Sequence, residues 1–175
     1  MELLIKIAEL LVKLLESKKQ RQDRYYQEVV SKLYELSKKT YDEYMAIFRH
    51  AEENIKAGKP LTEIIADVEL QRLGSKSERD HMRSILESID PVSVDDYSFE
   101  GAVFGLLRGR MSHAIKNFRT MLEGIPRYIS NNPLSNDEIR DMRLLTVKEA
   151  IEYTEFSWKN INDAYQVYLR NYLDR

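Results

Sequence analysis

The chain has 175 residues, with 27 Lys or Arg, 29 Asp or Glu and no Cys, and its formal net charge is −2. This length suits one domain with a buried core, and the near-neutral charge indicates no general preference for nucleic acid or an anionic membrane. The lack of cysteine excludes disulfides, thiolate metal sites and cysteine nucleophiles, and it favours a reducing compartment.

Helical periodicity dominates the sequence, and strand-like alternation is nearly absent. We therefore expect a single all-α domain over residues 1–175, folded as an antiparallel bundle of three long helices plus two or more short helices.

Residues 2–16 form the predicted helix with the narrowest polar face. Its charges, Glu2, Lys6, Glu9, Lys13 and Glu16, fall within about 80° on a helical wheel. A helix with so wide an apolar surface must be covered on nearly all sides. It is a core helix of its own bundle, a subunit interface or a membrane-surface helix, and the alternating charge signs disfavour the last. The interface interpretation involves Leu3, Leu4, Ile7, Leu10, Leu11 and Leu14.

Residues 17–24 contain no apolar side chain and predict a solvated helix or a hinge that completes an N-terminal unit, 1–24. Over residues 25–57 a four-three rhythm predicts a long helix that Gly58 and Pro60 end. Its seam comprises Tyr26, Val30, Leu33, Ser37, Thr40, Tyr44, Ile47 and Ala51.

The acidic region 61–97 predicts two short helices, the second begun by a capping box of Ser75 and Glu78, as a separate lobe or a lid over the longer helices. Glu78 and His81 have the Glu-x-x-His spacing of di-iron bundles, but that fold needs two such motifs. We therefore expect no metal site and no cofactor.

Residues 98–130 predict a central helix that begins at the N-cap Ser98. Its apolar face comprises Phe99, Val103, Leu106, Leu107, Met111, Ala114, Phe118, Met121 and Leu122. Gly101, Gly105 and Gly109 recur at every fourth position and form a smooth groove, where the last helix, a second subunit or a ligand approaches closely. A last helix is predicted over 135–174, begun by a capping box of Ser135 and Glu138.

The second half of the central helix is basic, and its candidate anion-binding residues are Arg108, Arg110, His113, Lys116 and Arg119. The stretch from Arg108 to His113 resembles the Arg-x4-His pattern of the HEPN class of small helical ribonucleases. That resemblance implies a cleft in which the arginine and histidine of two subunits cut RNA beside its 2′-hydroxyl. On one helix Arg108 and His113 lie about 140° apart, whereas Arg110 and His113 are closer together.

Taken together, the sequence predicts a helical protein-interaction module that self-associates or binds another helical protein, and it has no residue that we assign to catalysis. The alternative is a HEPN-like ribonuclease or RNA-binding bundle, with Arg108, Arg110 and His113 as its site. We expect no secretory leader and no membrane span, and hence a cytoplasmic protein.

Overall fold

The computed structural model describes residues 2–74, 76–89, 98–105, 116, 118–125, 130 and 134–173, without the side chains of 2–9 and 11. Nearly all of these residues are helical, and no strand occurs among them. The predicted all-α class is therefore confirmed.

The first 55 described residues form one uninterrupted helical run. Helix α1 (Glu2–Tyr25) leads into a π-helical turn (Tyr26–Val30), which leads into α2 (Ser31–Lys56). In the turn the Ser31 N–H donates to the carbonyl of Tyr26, five residues back, so the turn holds one residue more than an α-helical turn. Residues 17–24 are helical, which agrees with the solvated helix that the sequence offered as one alternative to a hinge.

The further helices in the described ranges are α3 (Leu61–Gly74), α4 (Lys76–Glu87), α5 (Phe99–Gly105), α6 (118–125) and α7 (Asn136–Leu173). The prediction of three long helices is therefore only partly right. The first two predicted units are one run, α7 matches the last predicted helix, and the described part of the central helix consists of α5 and α6.

Local signals at the helix ends are confirmed by hydrogen bonds. Gly58 has a positive φ of 72°, and the N–H groups of Gly58 and Lys59 donate to the carbonyls of Ile55 and Asn54 at the end of α2. The Ser98 hydroxyl accepts from the Gly101 N–H at 3.0 Å. Glu138 and Ser135 form the predicted capping box, in which the Glu138 carboxylate accepts from the Ser135 N–H at 2.8 Å. Ser75, the partner predicted for Glu78, lies outside the described residues.

The core lies between α2 and α7. From Val30, at the end of the π-helical turn, to Ala51 in α2, every predicted seam residue is buried. The buried hydroxyls of Thr40 and Thr154 donate to carbonyls four residues back, so each polar group is satisfied within its own helix. Small polar side chains can therefore lie in a seam that consists mainly of apolar residues.

Aromatic pairs show how α2 and α7 lie against each other. Ring stacking joins Tyr26 to Tyr172, Tyr34 to Tyr165 and Tyr41 to Trp158. Residues that come later in the first helical run therefore stack on residues that come earlier in α7.

The short helices share this core. Ile64 and Val68 of α3 and Met82 and Leu86 of α4 are buried in the same cluster as α2. Phe99 and Val103 of α5 and Phe118 and Leu122 of α6 also belong to it, as the apolar face of the central helix predicts. Met121 departs from that prediction, because 46% of its surface is exposed.

Candidate functional site

Within the described residues, a broad exposed apolar surface lies in the middle of α1. Leu10, Val12, Leu14 and Leu15 expose between 53% and 66% of their surfaces. The alternative in which this segment is a core helix of its own chain is therefore wrong for these residues. Leu10 and Leu14 belong to the predicted interface, whereas the side chains of Leu3, Leu4, Ile7 and Leu11 lie outside the described part of α1.

The exposed apolar side chains extend around much of the helix. At about 100° per residue, Leu10, Leu14, Leu15 and Val12 follow one another over an arc of about 200°. Val12 and Leu15 lie outside the predicted interface, whose residues share one leucine-rich face of the helix. The breadth of the apolar arc in the sequence was the signal that could have included them.

The last turn of α1 is fixed to the body of the protein. Tyr25 donates to Glu100 at 2.9 Å, Tyr172 donates to Asp23 at 2.5 Å, and the hydroxyls of Tyr26 and Tyr165 lie 2.9 Å apart. The bond to Asp23 raises the pKa of Tyr172 to about 12, and burial with the Glu100 charge raises the pKa of Tyr25 as well. At neutral pH both phenols are protonated donors.

An open groove of about 680 Å³ lies beside this anchored turn, between α1 and the end of α7. It begins at the exposed leucines and ends at Tyr168, and its lining is Leu14, Leu15, Lys18, Arg21, Gln22, Tyr25 and Tyr168. The groove therefore continues the exposed apolar surface of α1 toward the body of the protein.

Two cations line the groove without a charge partner in the described part of the chain. Neither Lys18 nor Arg21 has a described carboxylate within 4.0 Å, although Arg21 donates to the Ser17 hydroxyl at 3.2 Å. The groove therefore combines apolar side chains with two basic side chains.

The glycine groove predicted for the central helix is described at two of its three positions. A Cβ built on Gly105 would meet no described atom within 4 Å, so no described segment approaches closely there. Gly101 donates to the N-cap Ser98, and Gly109 lies outside the described residues.

The basic candidates of the central helix are mostly outside the described residues too. This holds for Arg108, Arg110 and His113, so the ribonuclease alternative stays a prediction. Lys116 is exposed. Arg119 contacts Glu123 at 2.7 Å and Glu69 at 3.3 Å, and these carboxylates raise its pKa. An external anion at Arg119 would compete with both of them.

The Glu-x-x-His motif is divided between two environments. Glu78 accepts from Lys39 at 2.5 Å, which lowers its pKa to about 2, whereas His81 is exposed on α4. No cluster of three or more potential metal ligands occurs within the residues that the structure describes.

Comparisons with known proteins give this chain no family. No protein-family model matches it, and no curated protein and no solved structure is significantly similar to it. No described helix is long and apolar enough to cross a membrane.

Proposed function

We propose that this protein is a self-associating helical interaction module whose activity is binding rather than catalysis, and that residues 2–16 of α1 are its main interface. One observation carries the proposal: Leu10, Val12, Leu14 and Leu15 are more than half exposed in the single chain. Covering an apolar surface contributes about 25 cal/mol per Å², so burying these side chains in an interface favours association of this segment.

The breadth of the surface supports an assembly of more than two copies. A helix packed on one neighbour presents an apolar stripe somewhat more than 100° wide. The exposed arc of about 200° corresponds to two such stripes, so each α1 has two neighbours. Four copies with three perpendicular two-fold axes satisfy this requirement in a closed assembly.

Charge supports another protein rather than a lipid bilayer as the partner. The charges of residues 2–16 alternate in sign, whereas helices that bind a membrane surface carry a basic polar face. At the outer edge of a helical assembly the same charges remain hydrated. We propose the cytoplasm as the compartment and an antiparallel bundle as the arrangement of the whole body.

Light scattering after size-exclusion chromatography tests this function. Wild type is expected at a multiple of the 20.7 kDa chain mass, and the double variant Leu10→Gln with Leu14→Gln is expected at or near that mass. The variant is expected not to associate, because it replaces apolar contacts by amide groups that must be desolvated when the copies associate.

A matched control is available on α3, where Leu70 and Leu73 are 70% and 59% exposed. Leu70→Gln with Leu73→Gln is expected to keep the wild-type mass, which separates a specific interface from general stickiness. Circular dichroism checks that all three proteins are folded. A folded wild type that stays at one chain mass at high protein concentration contradicts the proposal.

A further inference from the structure

We infer that the groove beside α1 binds a small amphipathic anion, with its charged group at Lys18 and Arg21 and its apolar tail along Leu14 and Leu15. This ligand is additional to the proposed function, because most of the groove lining lies outside residues 2–16. Its binding is expected whether the chain is a monomer or an oligomer.

The size of the groove is that of a small-molecule site. Its volume of about 680 Å³ lies within the roughly 300–1,000 Å³ that is usual for such sites. Three turns of an α-helix, which is about 10 Å across, occupy roughly 1,300 Å³, so a helical partner would lie mostly outside the groove. The volume therefore favours a small ligand over a helix.

The two cations of the groove lie on one side of α1. Lys18 and Arg21 are three residues apart, so their β-carbons are about 5–6 Å apart and their charged groups can meet at one anion. Neither has a carboxylate within 4.0 Å among the described residues, and Arg21 donates to the neutral Ser17 hydroxyl at 3.2 Å. Gln22 adds an amide donor to the same lining. This set suits a single carboxylate, whereas the charges of an acidic peptide are distributed along its length.

An apolar surface continues from the cations toward the start of α1. Leu14, one turn before Lys18, lines the groove together with Leu15, and these two leucines expose 62% and 66% of their surfaces. Exposed Leu10 lies one further turn away, so apolar side chains follow the cations for about 12 Å. A ligand tail that covers them removes apolar surface from water, which favours binding.

The opposite end of the groove is unfavourable for an anion. Tyr25 donates to Glu100 at 2.9 Å, so a mostly buried carboxylate lies beside its hydroxyl and repels a second negative charge. Tyr168, whose ring stacks on Tyr26, bounds the groove on this side. The charged group of the ligand therefore stays at the cations, and its tail points toward Leu14.

An NMR titration of the full-length protein tests this site with decanoate as the probe. Decanoate is expected to shift the signals of Leu14, Lys18 and Tyr168 until they saturate, because these residues line the groove. Two other probes are used below the concentrations at which they form micelles. Decyltrimethylammonium has a similar tail and the opposite charge, and butyrate has the charge and a short tail, so each is expected to bind about tenfold more weakly.

Two double variants with the same change in net charge identify the site of the charged group. Lys18→Gln with Arg21→Gln is expected to weaken decanoate binding about tenfold, which is the combined effect of two exposed ion pairs. Lys19→Gln with Arg24→Gln changes exposed side chains that do not line the groove, and it is expected to bind as wild type does. Circular dichroism checks that both variants are folded.

The outcomes separate this ligand from the proposed function. Equal binding of decanoate and decyltrimethylammonium, or an equal loss in the two double variants, overturns the inference. So does a wild type whose groove signals shift on dilution but not with decanoate, because a second copy then fills the groove. A synthetic helix of Leu and Glu that shifts these signals where decanoate does not shows a protein partner instead. If light scattering finds a monomer that binds decanoate in the groove, only the proposed function fails.

Discussion

Gly58 shows how a single residue ends the longest helical run of the molecule. Its φ of 72° lies in the left-handed region, where side chains with a Cβ are strained, and it lets the chain turn from α2 toward α3. Nothing lies within 4 Å of a Cβ built there, so the backbone angle alone makes glycine favourable.

Gly58→Ala is therefore expected to lower the free energy of unfolding by about 1–2 kcal/mol, the strain of a left-handed residue with a Cβ. Gly74→Ala is the control, because Gly74 has no positive φ and equally open surroundings. Urea titration followed by circular dichroism measures both. Equal stabilities of the two variants would contradict the strain argument.

Glu78 links stability to pH. The hydrogen bond from Lys39, followed by those from the backbone and the Ser77 hydroxyl, lowers its pKa to about 2 from an ordinary value of 4.5. Because the folded-state pKa lies below the unfolded value, this contribution to stability is fully present above about pH 5 and disappears as the pH falls toward 2.

We expect Glu78→Gln to lower the free energy of unfolding at neutral pH only slightly, since Lys39 is solvated. The difference from wild type should vanish as the pH approaches 2. Urea midpoints across this range measure it, and Lys39→Met completes a double-mutant cycle. If Glu78→Gln still differs in stability from wild type near pH 2, the ion pair is not the cause of the difference.

At the scale of elements, Tyr25 makes a hydrogen bond that joins the first helical run to α5. It donates to Glu100, which is only 8% exposed. Removing the hydroxyl deprives a mostly buried carboxylate of its donor, and an unsatisfied group of this kind is unfavourable by about 1–3 kcal/mol.

The expected result of Tyr25→Phe is a loss of about 1–3 kcal/mol in unfolding free energy, with faster amide exchange over α5. Tyr41→Phe is the matched control, since the Tyr41 ring stacks on Trp158 and its hydroxyl has no hydrogen bond within the described chain. Thermal unfolding and hydrogen exchange measure both. If the two variants are equally stable, Glu100 is satisfied without Tyr25.

The elements also show what could be predicted from sequence. The caps at Ser98 and Ser135, the stop at Gly58 and the buried row from Val30 to Ala51 follow from local hydrogen bonds and periodicity. The Lys39–Glu78 and Tyr25–Glu100 contacts join positions 39 and 75 residues apart, so no local pattern indicates them. The π-helical turn could not be predicted, because one extra residue in a continuous helix is not marked by Gly or Pro in the sequence.

At the scale of the whole molecule, the described chain separates into a packed body and an unsupported apolar end. All core residues lie between Val30 and Ile161, whereas Leu10 to Leu15 are exposed. The sequence predicted that residues 2–16 need to be covered, but it could not identify what covers them.

The π-helical turn at Tyr26–Val30 stands between these two parts, and it fixes their relative rotation about the helix axis. An α-helix turns about 100° with each residue, so deleting Gln27 would swing the leucine-rich end by roughly that angle while leaving α2 seated on α7. In an assembly joined through α1, this one inserted residue then sets the direction in which the packed part of each copy projects from the α1 helices. Relatives that lack the insertion would project their bodies in a different direction from the same α1 core.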